Sequence, residues 1–292
     1  ITHYADTTTA YMALEVGEVD IVGSVGANDY ENFLNGGAEG VEMTTTNTGG
    51  VAFFCFGFDI TDKFDDIRVR QALAHGIRWD EVGKVAYGVF YQQAKSIASI
   101  ICPDYIETGA YEFDQEKAKQ LLAEAGYGPD NPLELSTTSM QGALYEDQFQ
   151  VFQFYAEQLG IKTSCEFADA STAIGKWISP DGGCEYAFWS SVFGAPGGIL
   201  TSTLGWIDID TGVYFLHMND ERFLELYRII KTSTDPVEVS QATKDLQQYS
   251  HDGYWRIPIS ESTSAIGFRS ETLTKEQVDA IILAANYLQI SK

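Results

Sequence analysis

Residues 64–88 read FDDIRVRQALAHGIRWDEVGKVAYG, and this stretch decides how the rest of the chain is to be understood. Asp65 and Asp66 stand where a carboxylate can cap a helix and face its positive end. Ile67, Ala72, Leu73, Ile77, Val82 and Val85 then recur at three-to-four-residue spacing, which predicts helices over 65–76 and 79–87 with that face buried. Arg68 and Arg70 sit on the first turns, too early to serve the helix dipole. Two roles are open for them, ion pairing within the fold or contact with a ligand.

Upstream, VAFFCFGF (51–58) is continuously apolar, as a strand buried on both faces is. VEMTTT (41–46) alternates and predicts a separate strand, with a turn over 47–50. VDIV (19–22) predicts a short strand after a helix over 7–16, capped by Thr7 or Thr8 and stopped by Gly17. Downstream, residues 89–113 lack periodicity and predict an extended crossing loop with short strands. Asp114 caps a helix that Gly126 ends, and LELSTT (133–138) predicts a strand. Tyr145, Phe149, Phe152, Ala156 and Leu159 share one face of a helix over 142–159. A strand over 161–169, a helix over 170–178 and a strand over 184–191 then alternate, which predicts parallel pairing with helices packed on the sheet. Asn219 and Asp220 start another helix. Asp235-Pro236 with Glu238 starts the next, through cap, proline and first-turn acid. Residues 257–268 alternate as one strand or two, and Thr274 with Gln277 forms the capping box of a last helix. The fold class is α/β, with mixed sheets and helices packed on them.

At 292 residues the chain is long enough for one large domain or two smaller ones. Its formal charge of -24, with only 18 scattered Lys and Arg, argues against nucleic acid as a partner. No run of about 18 apolar residues is present to span a membrane, and ITHYADTTTA lacks the charged and apolar regions of a signal peptide. The four cysteines Cys55, Cys102, Cys165 and Cys184 form no C-x-x-C, and the four histidines are dispersed, so spacing gives no sign of a metal site. Buried free thiols and a Cys165–Cys184 disulfide are both open readings. No nucleotide loop, serine elbow or H-E-x-x-H is present, and no cofactor is implied. Pairs such as Asp208/Asp210 carry little meaning among 42 acids. The aromatic residues say more. Trp189 ends a predicted strand beside a Gly/Pro-rich loop over 192–198 that contains Phe193, and Trp206 follows a second polar stretch; ligand clefts of α/β proteins lie at such strand ends, and packing in a core is the alternative.

Several ordered segments resemble the peptide- and nickel-binding family of ABC importer solute-binding proteins. They are ALEVGEVDIV (13–22), the 64–88 stretch with its D-x-R-V-R-Q-A-L, DQEKAKQLLAEAGY (114–127), QLGIKT (158–163), CEYAFWS and the closing IPIS. The resemblance covers nearly the whole chain. It implies a fragment of a bilobal periplasmic-binding-protein-like fold that starts partway through the first lobe. Residues 1–56 and 262–292 would belong to that lobe and residues 57–261 to the second, with 51–58 and 257–268 as hinge crossings. It also implies a non-enzymatic, extracytoplasmic subunit that takes a short peptide or similar small solute between the lobes and hands it to ABC permease subunits. Any contact with the membrane would be through an anchor upstream of this chain.

Two departures follow from the same alignment. The family's W-x-x-D-x-x-D-P loop carries an acid for a peptide's ammonium. Aligning without gaps from Glu185 puts Ser191 at the Trp and Gly194 at the Asp; aligning Trp189 with the Trp puts Val192 at the Asp. Neither supplies a carboxylate, so a ligand with less positive charge, or amine capture elsewhere, is expected. The family's A-I-D-R is here Gly76-Ile77-Arg78-Trp79. The cleft candidates are therefore Trp189, Ser191, Val192, Phe193 and Gly194, with Trp206 beside them, for stacking and backbone hydrogen bonding. A secreted hydrolase using two carboxylates is the rival, and a deep pocket with two convergent acids would mark it. A binding protein that feeds a sensor instead of a permease is a third reading.

Overall fold

The structure is a computed structural model, and it describes residues 2–4, 6–58, 60–179, 181–190, 207–208, 213–214 and 220–281. The elements run α1 (Thr7–Glu15), β1 (Ile21–Val25), α2 (Ala27–Leu34), β2 (Val41–Phe56), α3 (Ile67–Gly76), α4 (Trp79–Tyr87), α5 (Gln115–Glu124), β3 (Glu134–Met140), α6 (Ala143–Gln158), β4 (Lys162–Ala168), α7 (Ala170–Ile178), β5 (Tyr186–Ser190), β6 (Ile207–Asp208), β7 (Val213–Tyr214), α8 (Glu221–Thr232), α9 (Pro236–Asp252) and β8 (Arg256–Arg269). It is a mixed α/β fold. A four-stranded antiparallel sheet has the order β1-β8-β2-β5; β3 and β4 pair in parallel, and β6 and β7 form a short antiparallel pair.

The caps place the helices where side chains satisfy their open N–H groups. Asp66 accepts from Arg68 N, Asp114 from Lys117 N, Asp169 from Ser171 N and Thr172 N, Asp220 from Phe223 N, and Asp235 from Val237 N. Thr274 and Gln277 exchange side-chain-to-backbone bonds at 2.9 and 3.3 Å, the reciprocal capping box. α1 is capped by Asp6 instead of Thr7 or Thr8.

The structure differs from the sequence reading at several places. The expected turn over 47–50 is a bulge: β2 runs unbroken for 16 residues, and its register against β8 shifts between Asn47 and Val51. Gly49 supplies the positive φ of 80° that this shift requires. β8 is a single strand of 14 residues. α2 was not anticipated; its short apolar stripe, Tyr30 and Phe33, packs half-buried on the cluster of Tyr11, Leu14, Val22, Val25, Val41 and Ala265. On α3 and α4 the buried face is Val69, Ala72, Leu73 and Val82, whereas Ile67 and Val85 are exposed. The β4–α7–β5 alternation does not close on itself, because β5 joins the antiparallel sheet beside β2 instead of pairing with β4. All four cysteines are free.

Phe54 marks the centre of the main core. Fully buried, it meets Phe56, Trp79, Phe152, Tyr186 and Phe188 with ring centroids 5.0 to 5.5 Å apart. Burying a side chain of this size stabilises by roughly 2–3 kcal/mol before ring geometry is counted. A second, smaller cluster joins Tyr11, Leu14, Val22, Val25, Val41 and Ala265. The two clusters draw on the same two strands, since Val51–Phe56 of β2 and Ile257–Ile259 of β8 belong to the first.

The two arginines of the opening stretch take different structural roles. Arg68 pairs with Asp66 at 2.6 Å and donates to Glu124 O. Arg70 is 4% exposed and donates to the carbonyls of Phe64, Asp65 and Gly253, with its guanidinium 4.3 Å from the centre of the Trp255 ring. It ties α3 to the end of α9 through carbonyls and an aromatic face, as a planar five-donor group can.

Candidate functional site

β2 and β8 stay paired from Val41↔Arg269 to Cys55↔Arg256, passing from the small cluster to the large one. The passage occurs where their register shifts, around Asn47–Val51 and Ser260–Thr263. There the sequence replaces apolar residues by hydroxyls: Ser260, Ser262, Thr263 and Ser264 stand between IPI and AIGF.

A buried carboxylate organises one side of this crossing. Glu261 is 3% exposed. It accepts from Ser99 Oγ at 2.5 Å, from Asn47 Nδ2 at 3.0 Å and more weakly from Ile100 N at 3.3 Å, while its own N–H donates to Gln92 O at 2.7 Å. Asn47 Oδ1 in turn accepts from Gly49 N and Ser99 Oγ. The bulge of β2 and the loop after α4 are thus pinned to one acid of β8, which needs these donors because no lysine or arginine pairs with it among the described residues.

A cavity of about 420 Å³ opens at the same level. β1 and the start of α2 contribute Ser24 to Ala27, and the bulge contributes Thr48. Tyr87 and Phe90 come from the end of α4 and the turn after it, and Leu144 from the start of α6. Ser262, Thr263 and Ser264 complete it from β8. It is walled by elements of both apolar clusters. Ser262 Oγ is buried without a hydrogen bond among the described residues, and Thr48 Oγ1 donates to Ser262 O at 3.1 Å. The described lining includes no acidic or basic side chain.

β5 ends beside the crossing. Its Trp189 and Ser190 stand opposite Phe53 and Ala52 of β2, which face Pro258 and Ser260 of β8 on their other edge. Of the residues picked out from sequence, Trp189 is therefore placed at the crossing by its backbone. Ser191, Val192, Phe193, Gly194 and Trp206 lie outside the described residues. Thr48, Tyr87, Phe90 and Ser262–Ser264 were not anticipated. The one signal that could have found them is the hydroxyl run inside an otherwise apolar strand.

The chemistry on offer is hydrogen bonding and apolar contact. Burial pushes the Cys55 thiol up to about 11 and that of Cys165 up to about 12, so neither is a ready nucleophile at neutral pH. A cavity at the start of β3 and β4 brings Glu134 and Glu185 together, but each is engaged by a lysine: Lys162 at 2.8 Å and Lys63 at 2.5 Å. Among the described residues no three His, Cys, Asp or Glu side chains gather as metal ligands, and no helix is long and apolar enough to cross a membrane.

Residues 1–201 match the family model described as bacterial extracellular solute-binding proteins, family 5 (middle). Among curated proteins, the chain is 26% identical over 205 residues to di/tripeptide-binding protein 2 of Pseudomonas aeruginosa, a match covering 68% of this chain and 38% of that one. It is 28% identical over 201 residues to the glutathione-binding protein GsiB of Pectobacterium atrosepticum, covering 65% and 38%. The chain thus spans well under half the length of these relatives. Among solved structures, the ABC transporter substrate-binding protein CtaP of Listeria monocytogenes superposes with a TM-score of 0.78 at 17% identity, over 91% of this chain and 54% of that one.

Proposed function

Because the chain belongs to the bacterial extracellular solute-binding proteins of family 5, we propose that it is part of the extracytoplasmic binding subunit of an ABC importer, gripping a short peptide or similar small solute and transforming nothing. In this reading residues 1–56 and 262–292 belong to one lobe and residues 57–261 to the other. The solute lies between them, against the end of β5 and the residues Ser191, Val192, Phe193, Gly194 and Trp206. Lobe closure about the β2–β8 crossing selects the bound state, and permease subunits receive the solute. A lipid anchor outside these residues holds the subunit at the membrane.

The observation that carries this reading is the crossing itself. Two strands run through both apolar clusters, and a cavity walled by both clusters opens where the ladder shifts. The pairing of Glu134 and Glu185 with lysines gives the two-carboxylate hydrolase no support.

Thermal-shift screening tests the reading. The full translated product of the gene is melted against libraries of di- to pentapeptides, neutral sugars and metal ions. A saturable rise in Tm with peptides is expected. A rise with sugars alone, or a Tm that falls on adding a chelator, would overturn the ligand class, and turnover of any added peptide would overturn the binding role.

A further inference from the structure

Residues 88–109, the connection after α4, are held more firmly than a connector requires. Gly88 takes a φ of 52° and turns the chain off α4, and the turn Gly88–Phe90 then runs beside Ala27 of α2. The half-buried ring of Phe90 packs on the small cluster, its centroid 5.1 Å from that of Tyr30 on α2. Gln92–Ala94 next lie along β8. Glu261 N donates to Gln92 O at 2.7 Å, Gln93 bridges Ser260, and Ala94 N donates to Ile259 O at 3.4 Å. Ser99, fully buried, joins Glu261 and Asn47. The loop closes on itself where Thr108 N and Gly109 N both donate to Lys95 O at 3.0 Å.

Gln247 of α9 fixes the far side of this loop. It is fully buried, accepts from Ser96 Oγ at 3.0 Å and Ile106 N at 2.9 Å, and donates to Asp104 O at 2.9 Å. α9 also supplies Ala242 and Leu246 to the main cluster. The segment is therefore a third link between the two clusters, beside β2 and β8. Its holds differ in kind. Those on Glu261 and Gln247 are buried, directional hydrogen bonds, and breaking one leaves a donor or acceptor unpaired away from water. The hold of Phe90 is a ring contact that can slide without leaving any polar group unpaired. A bend of the ladder moves the small cluster relative to the large one, and the ring contact is the link that gives first.

We propose that Phe90 is a catch. Seated on Tyr30, it holds the two clusters in the arrangement seen here, and bending about the crossing unseats it. This rests on the lobe-closure reading above and adds the element that regulates it. An aromatic pair of this geometry biases an equilibrium between two conformations by roughly threefold to tenfold. Such a bias is small enough for a bound solute to overcome, and large enough to keep the unliganded protein mostly in one state.

The test measures the distance between the lobes in the full gene product. Nitroxides are attached through p-acetylphenylalanine in place of Glu42 on β2 and Gln120 on α5, both exposed, so that the four cysteines stay untouched. Pulsed electron–electron resonance gives the distance distribution, with and without the di- to pentapeptide fraction of a casein hydrolysate. The parent alone gives one narrow peak. Without peptide, Phe90→Ala raises the share of distances outside that peak at least threefold, and Tyr30→Ala, which removes the same contact from the other lobe, does likewise. Phe113→Ala removes an exposed ring that meets Tyr155 instead, and keeps the distribution of the parent. A single cooperative melt checks that each variant is folded. If F90A and Y30A keep the distribution of the parent, or if F113A broadens it as much as they do, the inference is overturned while the peptide-binding reading stands. If the peptide fraction moves no distance in the parent while F90A and Y30A broaden theirs, the peptide reading is overturned and the catch stands.

Discussion

Replacing Glu261 removes the acceptor on which the crossing converges, and the structure sets the size of the effect. Alanine at this position leaves three donors to find new partners. Ser99 Oγ has one at hand, Asn47 Oδ1 at 3.1 Å. Asn47 Nδ2 and Ile100 N have none comparable among the described residues. Each buried donor left unsatisfied costs about 1–3 kcal/mol, and the weaker geometry at Ile100 puts its share at the low end. Against this, a buried carboxylate without a cationic partner is itself unfavourable, and its removal returns part of the loss. The net destabilisation expected for Glu261→Ala is about 1–3 kcal/mol. Glu261→Gln keeps one acceptor oxygen but turns an amide N–H toward a donor, and should cost about 1 kcal/mol. Urea denaturation gives both values, with the m-value unchanged if the unfolded states are alike. Amide exchange should also accelerate at Gly49 and Ile100 relative to Val69 in α3. An E261A protein within 0.5 kcal/mol of the parent, or one more stable than E261Q, would refute the claim that this acid pins the bulge.

Phe54→Ala empties the point where five rings meet, and should destabilise the protein by about 3–5 kcal/mol by thermal or chemical denaturation; a loss under 1 kcal/mol would show that the neighbouring rings collapse into the space. Asp80 gives a pH dependence. The Arg78 guanidinium, and then Lys84, hold its carboxyl down at about 2, against some burial that opposes the shift. Its folded pKa lies below the unfolded one, so its contribution is complete above about pH 4 and is lost as pH falls toward 2. Asp80→Asn should lower stability at pH 7 by about 1 kcal/mol, reduced from the full linkage value because Arg78 and Lys84 are solvent-exposed, and the deficit should close by pH 2. A deficit that persists unchanged at pH 2 would point to packing instead of charge.

The helices were legible because their signals are local. Asp66, Asp114, Asp220 and Asp235 each announce a start, and each accepts the expected backbone bond; Asp169, read as the end of a strand, caps α7 as well. What sequence reading missed depends on partners distant along the chain. Asn47-Thr48-Gly49-Gly50 has the composition of a turn, and only the ladder with β8, more than 200 positions away, holds it as a bulge. Ile67 and Val85 follow the helical period yet lie exposed, whereas Val69 and Val82 are fully buried. β5 follows a βαβ alternation but pairs with β2, since the period of a strand does not name its neighbour. Trp189 was singled out by its place at the end of a strand, and its backbone pairs with Phe53 beside the crossing. Glu261 was one acid among 42, and a cavity lined by hydroxyls matches no motif.

The long pairing of β2 with β8 has a mechanical corollary. A joint made of loops would swivel freely, but two strands laced together by hydrogen bonds flex as a ribbon, spreading any bend or torsion over many peptide units like a leaf spring. Nor can the ribbon give way by sliding, since a slip of one residue would swing Ala265 and Phe268, both buried, to the opposite face. The compliant point is then the stretch around Gly49 where the rungs are missing, and in the closure proposed above its stiffness sets how far the two lobes travel.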